Sequence, residues 1–210
     1  MKNLTDCRLY GILDLSYVTE PDAERVAVAM IEGGVDLIQL RDKKSGMTAI
    51  SYLAEKLHVI TSAAGVPLIV NDYAKIAALV PVEGVHVGQD DDSVATTREK
   101  AGRKIIVGKS THSLDQARAA LREGADYIGY GPIFATPTKP DYKPIGTADI
   151  KRVHAEVTLP IFCIGGIKID NLGEVIAAGA KRVAIVSGLL KAPDIAKYGR
   201  ACMALLEPEG

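Results

Sequence analysis

One junction recurs along this chain: a helical segment, a short turn carrying glycine, then an apolar run. It reads "IEGGVDLIQLR", "LREGADYIGYG" and "IAAGAKRVAIVS" at three well-separated places. A glycine just past a helix accepts the left-handed conformation that ends it, and the following residues then enter a buried strand. Eight apolar runs are expected as strands, at residues 9–13, 37–40, 67–70, 84–87, 104–108, 127–130, 160–164 and 182–186. Helical spacing of apolar residues is clearest at 22–32, 48–64, 114–123 and 171–178. Continuous apolar strands imply burial on both faces, as in a parallel sheet covered by helices. Eight such units over residues 1–210 predict an α/β single-domain (βα)8 TIM barrel. An open doubly wound sheet is the competing arrangement, but no G-x-G-x-x-G follows the first strand.

Composition narrows the function classes. A net charge of −1 argues against nucleic acid or an anionic membrane as principal partner. Small molecules are the expected partners; the oligomeric state is not fixed by the sequence, and a homo-oligomer is compatible with it. The three cysteines, Cys7, Cys163 and Cys202, are widely spaced and form no C-x-x-C, so neither structural zinc nor a disulfide framework is expected. No apolar stretch has the length of a signal peptide or a membrane span, which makes cytoplasmic the expected location.

In a barrel of this kind the chemistry sits on the loops after the strands. The second strand ends in "QLRDK", where alternation puts Gln39, Arg41 and Lys43 on one side as a candidate diphosphate clamp. An ordinary solvated charged loop is the competing reading. The third strand ends in "VNDY" and the fourth in "HVGQDDD", so Asp72 and one of Asp90 to Asp92 are expected near each other. Two carboxylates beside a cationic clamp suit Mg²⁺ bridging a phosphorylated ligand. At least one member of the acidic triplet is also expected to cap the following helix, and Asn71 is open between ligand and turn residue. The sixth loop, "GPIFATPTKPDYKPIG", is long for a strand–helix connection. Thr136, Thr138 and Lys139 give it two hydroxyls and a cation for an anion, and Lys139 stands too far beyond its strand to read as a Schiff-base lysine. Gly165, Gly166, Val186 and Ser187 occupy the place after the last two strands where these barrels bind phosphate. The four histidines show no metal-ligand spacing, and His86 and His112 read as packing or hydrogen-bonding residues. Two anion sites and a metal, without an evident base or nucleophile, suit a reaction driven by loss of diphosphate.

In order along the chain, "LYGILD", "QLRDK", "VNDY", "GVHVGQDD", "GKSTHS", "ADYIGYGPIFATPTKPD", "FCIGGI" and "VAIVSGL" resemble the thiamine phosphate synthase family over most of the sequence. The resemblance implies a transferase of thiamine biosynthesis. It would join 4-amino-5-hydroxymethyl-2-methylpyrimidine diphosphate to a thiazole phosphate, with Mg²⁺ assisting loss of diphosphate through a pyrimidine cation. It also implies roles by motif. Gln39, Arg41, Lys43 and Asn71, with Tyr10 at the ring, would bind the pyrimidine diphosphate. Asp72 and Asp91 would hold Mg²⁺. Ser110 and Lys139 would touch the diphosphate, and Thr136, Thr138, Gly166, Val186 and Ser187 the thiazole phosphate. Arg41, Lys43, Ser110 and Lys139 form the implied catalytic set. The sequence departs from the family in its first loop, "ILDLSY", and at Tyr73.

Three other readings stand beside this one. A thiazole tautomerase-like isomerase of the same superfamily would tend to lack parts of the metal and diphosphate sets, which are complete here. A non-catalytic regulatory barrel would bind a thiamine precursor without turnover. An aldolase or isomerase acting on a sugar phosphate would need a strand-borne lysine or carboxylate base in the pocket.

Overall fold

The computed structural model describes residues 1–136 and 143–207. Eight parallel strands close into a barrel in chain order, the last pairing with the first. They are β1 (Leu9–Asp14), β2 (Leu37–Arg41), β3 (Leu68–Asn71), β4 (Gly84–Val87), β5 (Ile106–Thr111), β6 (Tyr127–Tyr130), β7 (Ile161–Ile164) and β8 (Val183–Ile185). The helices are α1 (Ala23–Glu32), α2 (Met47–Ala63), α3 (Ala74–Leu79), α4 (Val94–Ala101), α5 (Leu114–Arg122), α6 (Ile150–Glu156), α7 (Ile169–Ala177), α8 (Ser187–Leu190) and α9 (Ile195–Leu206). The expected (βα)8 fold is therefore the observed one. Among the described residues, no helix is long and apolar enough to cross a membrane.

Strand alternation sorts the apolar residues into two cores. Outward-facing side chains such as Leu9, Ile38, Leu40, Val85 and Val107 pack under the helices in one large cluster. Inward-facing Tyr10, Ile12, Leu37, Ile69, Tyr127, Phe162 and Ala184 fill the barrel itself. Three of these are aromatic and meet edge to face, with ring centroids 5.2 Å apart for Tyr10–Phe162 and 5.6 Å for Tyr127–Phe162. Large rings on neighbouring strands require small partners. A Cβ on Gly108 would lie 2.0 Å from the Tyr127 ring, so the glycine of β5 is what admits this tyrosine.

Four strands run past their expected ends, whereas β8 stops one residue short of its own. The fifth was expected to end at residue 108, with "KSTHS" as its loop, but β5 runs on through Lys109 and Ser110 to Thr111. Alternation disposes of these polar side chains: Lys109 turns outward to Glu123 at 2.5 Å, and the Thr111 hydroxyl donates to the Gly129 carbonyl at 3.0 Å. Similarly, β1, β2 and β3 extend to Asp14, Arg41 and Asn71. A second expectation is corrected at α4. Ser93, not a member of the aspartate triplet, caps this helix, its hydroxyl accepting from the Thr96 amide at 3.1 Å. Asp92 pairs with Lys100 instead, and Asp91 accepts from the Gly88 amide at 2.7 Å.

Candidate active site

A cavity opens at the C-terminal ends of the strands, directly above the aromatic layer. The next inward positions along the strands supply its walls: Gln39 and Arg41 from β2, Asn71 from β3, His86 from β4 and Ser110 from β5. Tyr10 reaches it from below, and Thr136, Gly166, Val186 and Ser187 close the opposite side. Nine expected site residues therefore converge on one space. Thr138 and Lys139 lie outside the described residues.

The cationic side of the cavity is tightly positioned. Arg41 pairs with Asp14, which is buried and also accepts from the amide and hydroxyl of Ser16 at 2.8 and 2.7 Å. The altered first loop thus provides the anchor that aims the guanidinium. Lys43 sits further out and pairs with Asp72. Asp72 has a left-handed backbone, φ 65°, unusual for a residue with a side chain. Its amide donates to the His86 carbonyl at 2.8 Å, which holds this conformation at the mouth. Burial pushes its carboxyl pKa up, Lys43 pulls it down, and the adjacent Asp91 carboxylate pushes it up again. Tyr73, the other departure from the family, is partly buried and packs against the outer core.

Two observations favour ligands over a closed protein network here. The Nδ2 of Asn71 is buried without a hydrogen-bond partner among the described residues. Leaving such a donor unmet costs about 1–3 kcal/mol, and a ligand acceptor would recover it. Asp72 and Asp91 place two carboxylates side by side, and Lys43 pairs with Asp72. No group of three or more histidine, cysteine or acidic residues among those described could hold a metal by itself. This donor set fits Mg²⁺, which takes one or two carboxylates and completes its octahedron with phosphate oxygens and water.

The opposite wall is built from backbone. The start of the sixth loop runs beside the turn after β7, with the amides of Ile133 and Phe134 donating to the carbonyls of Ile164 and Gly165 at 2.8 and 2.9 Å. Gly166, at φ +66°, lies so close that a Cβ would be 2.6 Å from the Ala135 carbonyl. The Asn171 amide ties the same turn by donating to the Gly166 carbonyl at 3.0 Å. Thr136, Gly166, Val186 and Ser187 line this side of the cavity, where the sequence predicts a phosphate.

Sequence reasoning missed three contributors. Asp14 reads in the sequence as the start of the first loop, with no role, whereas it ends β1 and pairs with Arg41. His86 makes the hydrogen bonds expected of it, but it makes them while lining the cavity, with Nδ1 3.0 Å from Tyr127 Oη and Nε2 2.9 Å from Ser110 Oγ. Tyr127 lies beneath. The usable signal was alternation: His86 is two residues beyond Gly84, on the inward face of β4.

Fold and site together define a (βα)8 barrel whose cavity, at the C-terminal ends of the strands, has a cationic wall on one side and a wall of glycine-rich backbone on the other. A family profile described as thiamine monophosphate synthase matches residues 9–189. A thiamine-phosphate synthase of Shouchella clausii is 42% identical over 201 residues, covering 95% of this chain and 96% of the relative. One from Chloroflexus aurantiacus is 42% identical over 205 residues, covering 97% and 94%. Among solved structures, a thiamine phosphate pyrophosphorylase from Pyrococcus furiosus superposes with a TM-score of 0.88 at 28% identity, covering 97% of this chain and 96% of that one. The chain belongs to the thiamine monophosphate synthase family, and it is a transferase.

Proposed function

We propose that this chain makes thiamine phosphate by joining the pyrimidine diphosphate to the thiazole phosphate with release of diphosphate. The observation that carries the reading is the convergence on one cavity of a cationic wall, a buried unmet amide and a glycine-built phosphate wall. The two walls suit the two charged ends of a pair of substrates that must meet in between.

Gln39 and Asn71 offer the pyrimidine ring one amide each, and Tyr10 and Phe162 give it an aromatic floor. Arg41, fixed by Asp14, and Lys43 face the diphosphate, with Ser110 as a hydroxyl donor beside them. Thr136, Gly166, Val186 and Ser187 hold the thiazole phosphate, which fixes the thiazole nitrogen towards the pyrimidine methylene. The bond between that methylene and the diphosphate oxygen breaks, its electron pair leaving with diphosphate. The nitrogen lone pair then fills the carbon of the pyrimidine cation. An electron pair moves and no proton is abstracted, so the side chains required are charge stabilisers rather than bases. Asp72 and Asp91 would hold Mg²⁺, which when bound neutralises charge on the departing diphosphate. Thr138 and Lys139 are proposed to complete the contacts to thiazole phosphate and diphosphate.

The test is to supply both substrates with Mg²⁺ and follow thiamine phosphate, with and without a chelator. Metal-dependent product is the expected result. Absence of product while thiazole phosphate still binds would overturn the reading in favour of a tautomerase or a regulatory barrel.

A further inference from the structure

At the floor of the cavity five polar side chains are linked in sequence. Gln39 Nε2 donates to Tyr10 Oη at 2.5 Å, Tyr10 Oη lies 2.9 Å from Tyr127 Oη, and His86 spans from Tyr127 to Ser110 at 3.0 and 2.9 Å. Each link constrains the next, because a phenol has one proton to give. Tyr10 receives the Gln39 N–H and so gives its own proton to Tyr127. Tyr127 gives its proton to His86 Nδ1. A neutral imidazole accepting at Nδ1 carries its hydrogen on Nε2 and donates it to Ser110. The Ser110 hydroxyl proton is then left for the cavity, and so is the Gln39 carbonyl oxygen. Both phenols keep their protons, since burial drives their pKa values up.

We infer that this chain has a fixed direction, and that Tyr127 and His86 are positioning residues which make Gln39 an acceptor and Ser110 a donor together. The inference rests on the reading of the cavity as the pyrimidine diphosphate site. An aminopyrimidine needs an acceptor for its amine, and a diphosphate, whose oxygens only accept, needs a donor. One polarity meets both requirements. A pyrimidine carrying an oxo group in place of the amine would require Gln39 to turn its N–H towards the ligand. Its carbonyl would then take the Tyr10 proton, the chain would reverse, and Ser110 would give its proton to His86 instead of the diphosphate. Recognition of the ring is thereby coupled to stabilisation of the leaving group, so the wrong ring lowers kcat as well as raising KM.

Two measurements test this. In the wild-type protein, nitrogen–proton correlation spectra of histidine are expected to show the His86 ring protonated on Nε2. Tyr127→Phe, which keeps the ring in its aromatic cluster and removes the hydroxyl, should release that tautomer preference. The same variant should lower kcat on the amino substrate about tenfold, the loss of one linking hydrogen bond. It should also shrink the kcat discrimination against the oxo analogue about tenfold, with KM for thiazole phosphate unchanged. A ring protonated on Nδ1, or a discrimination unaltered in Tyr127→Phe, would overturn the inference. If the wild type forms no thiamine phosphate, the proposed function fails, and the His86 tautomer still decides for or against the chain.

Discussion

The two ends of the barrel use the same residue types to opposite purposes. At the N-terminal end, a carboxylate stands just before each of β2, β4 and β6 and accepts from the backbone of the preceding odd-numbered strand. Asp36 takes the amides of Arg8 and Leu9 at 2.8 and 3.1 Å, Glu83 that of Leu68 at 2.7 Å, and Asp126 that of Val107 at 2.7 Å. Each also has a basic neighbour, Lys2, His58 or Arg98 respectively. Protein groups meet the needs of these carboxylates. At the C-terminal end Asp72 sits in a left-handed turn against another carboxylate, and Asn71 keeps an unmet donor. The carboxylates at one end are satisfied within the fold and hold the barrel shut, while Asn71, the one cavity-lining residue among the described residues with an unpartnered buried polar atom, is placed for a ligand.

The contrast breaks most visibly at Asp72. Asp72→Ala is expected to lower kcat by about 100-fold or more, the scale of losing one preorganised electrostatic contact at a charged transition state. Its melting temperature should change little, because relief of a carboxyl crowded by burial and Asp91 is offset by loss of the Lys43 pair and by alanine's poorer fit to the left-handed backbone. A clear loss of stability with activity retained would make Asp72 a structural residue like those at the other end.

Asp36→Ala is the mirror experiment. It strands two backbone amides in a buried site and removes the partner of Lys2, at a cost of about 3 kcal/mol in stability. Denaturant unfolding measures that loss, and kcat at a temperature where the variant is folded should match the wild type. Next in size is Arg41→Lys. Lysine keeps the charge but loses the forked geometry that lets Asp14 and a diphosphate be engaged together. KM for the pyrimidine diphosphate should rise about tenfold while stability changes little, since Asp14 keeps its bonds to Ser16. An unchanged KM would move Arg41 from the site to the scaffold.

The same division explains what could be read from the sequence. The fold was legible because each strand is a continuous apolar run, and burial on both faces leaves that mark. The ends of β1, β2, β3 and β5 were not, and there the shortfall falls on the side of the site. Lys109, Ser110 and Thr111 interrupt the apolar pattern because the ends of barrel strands carry the chemistry, so β5 was expected to stop where its functional part begins. Arg41, Asn71, Asp72 and Asp91 could be found because charged or amide residues at strand ends stand out against their neighbours. Tyr127 could not, and for His86 strand alternation gave its inward direction but not its role. An inward tyrosine and an inward histidine within apolar strands have the pattern of core, and only the closing of the barrel brings one phenol to the other.

The smallest expected effect lies at the other end, where His58 Nδ1, His154 Nε2 and Arg182 Nε are buried without a hydrogen-bond partner among the described residues. His154, on α6, is half-buried; its Nε2 is buried without a partner among the described residues, and Lys181 and Arg182 lie near. Burial first, and those two cations second, lower its pKa from 6.5 to about 4. The unfolded chain therefore binds a proton as pH falls below 6.5, while the folded protein resists it down to about 4. Stability contributed by the neutral ring is whole above pH 6.5 and is lost progressively across that interval. His154→Leu removes the titration, so its unfolding free energy should fall less steeply than that of the wild type as pH drops from 6.5 towards 5. Discounted for the part of the ring that faces solvent, the difference is about 1 kcal/mol. The substitution lies away from the mouth, so turnover at neutral pH should not change. Parallel stability curves would mean that the ring is protonated inside the fold, and that this end of the barrel, like the other, tolerates a charge the protein alone does not satisfy.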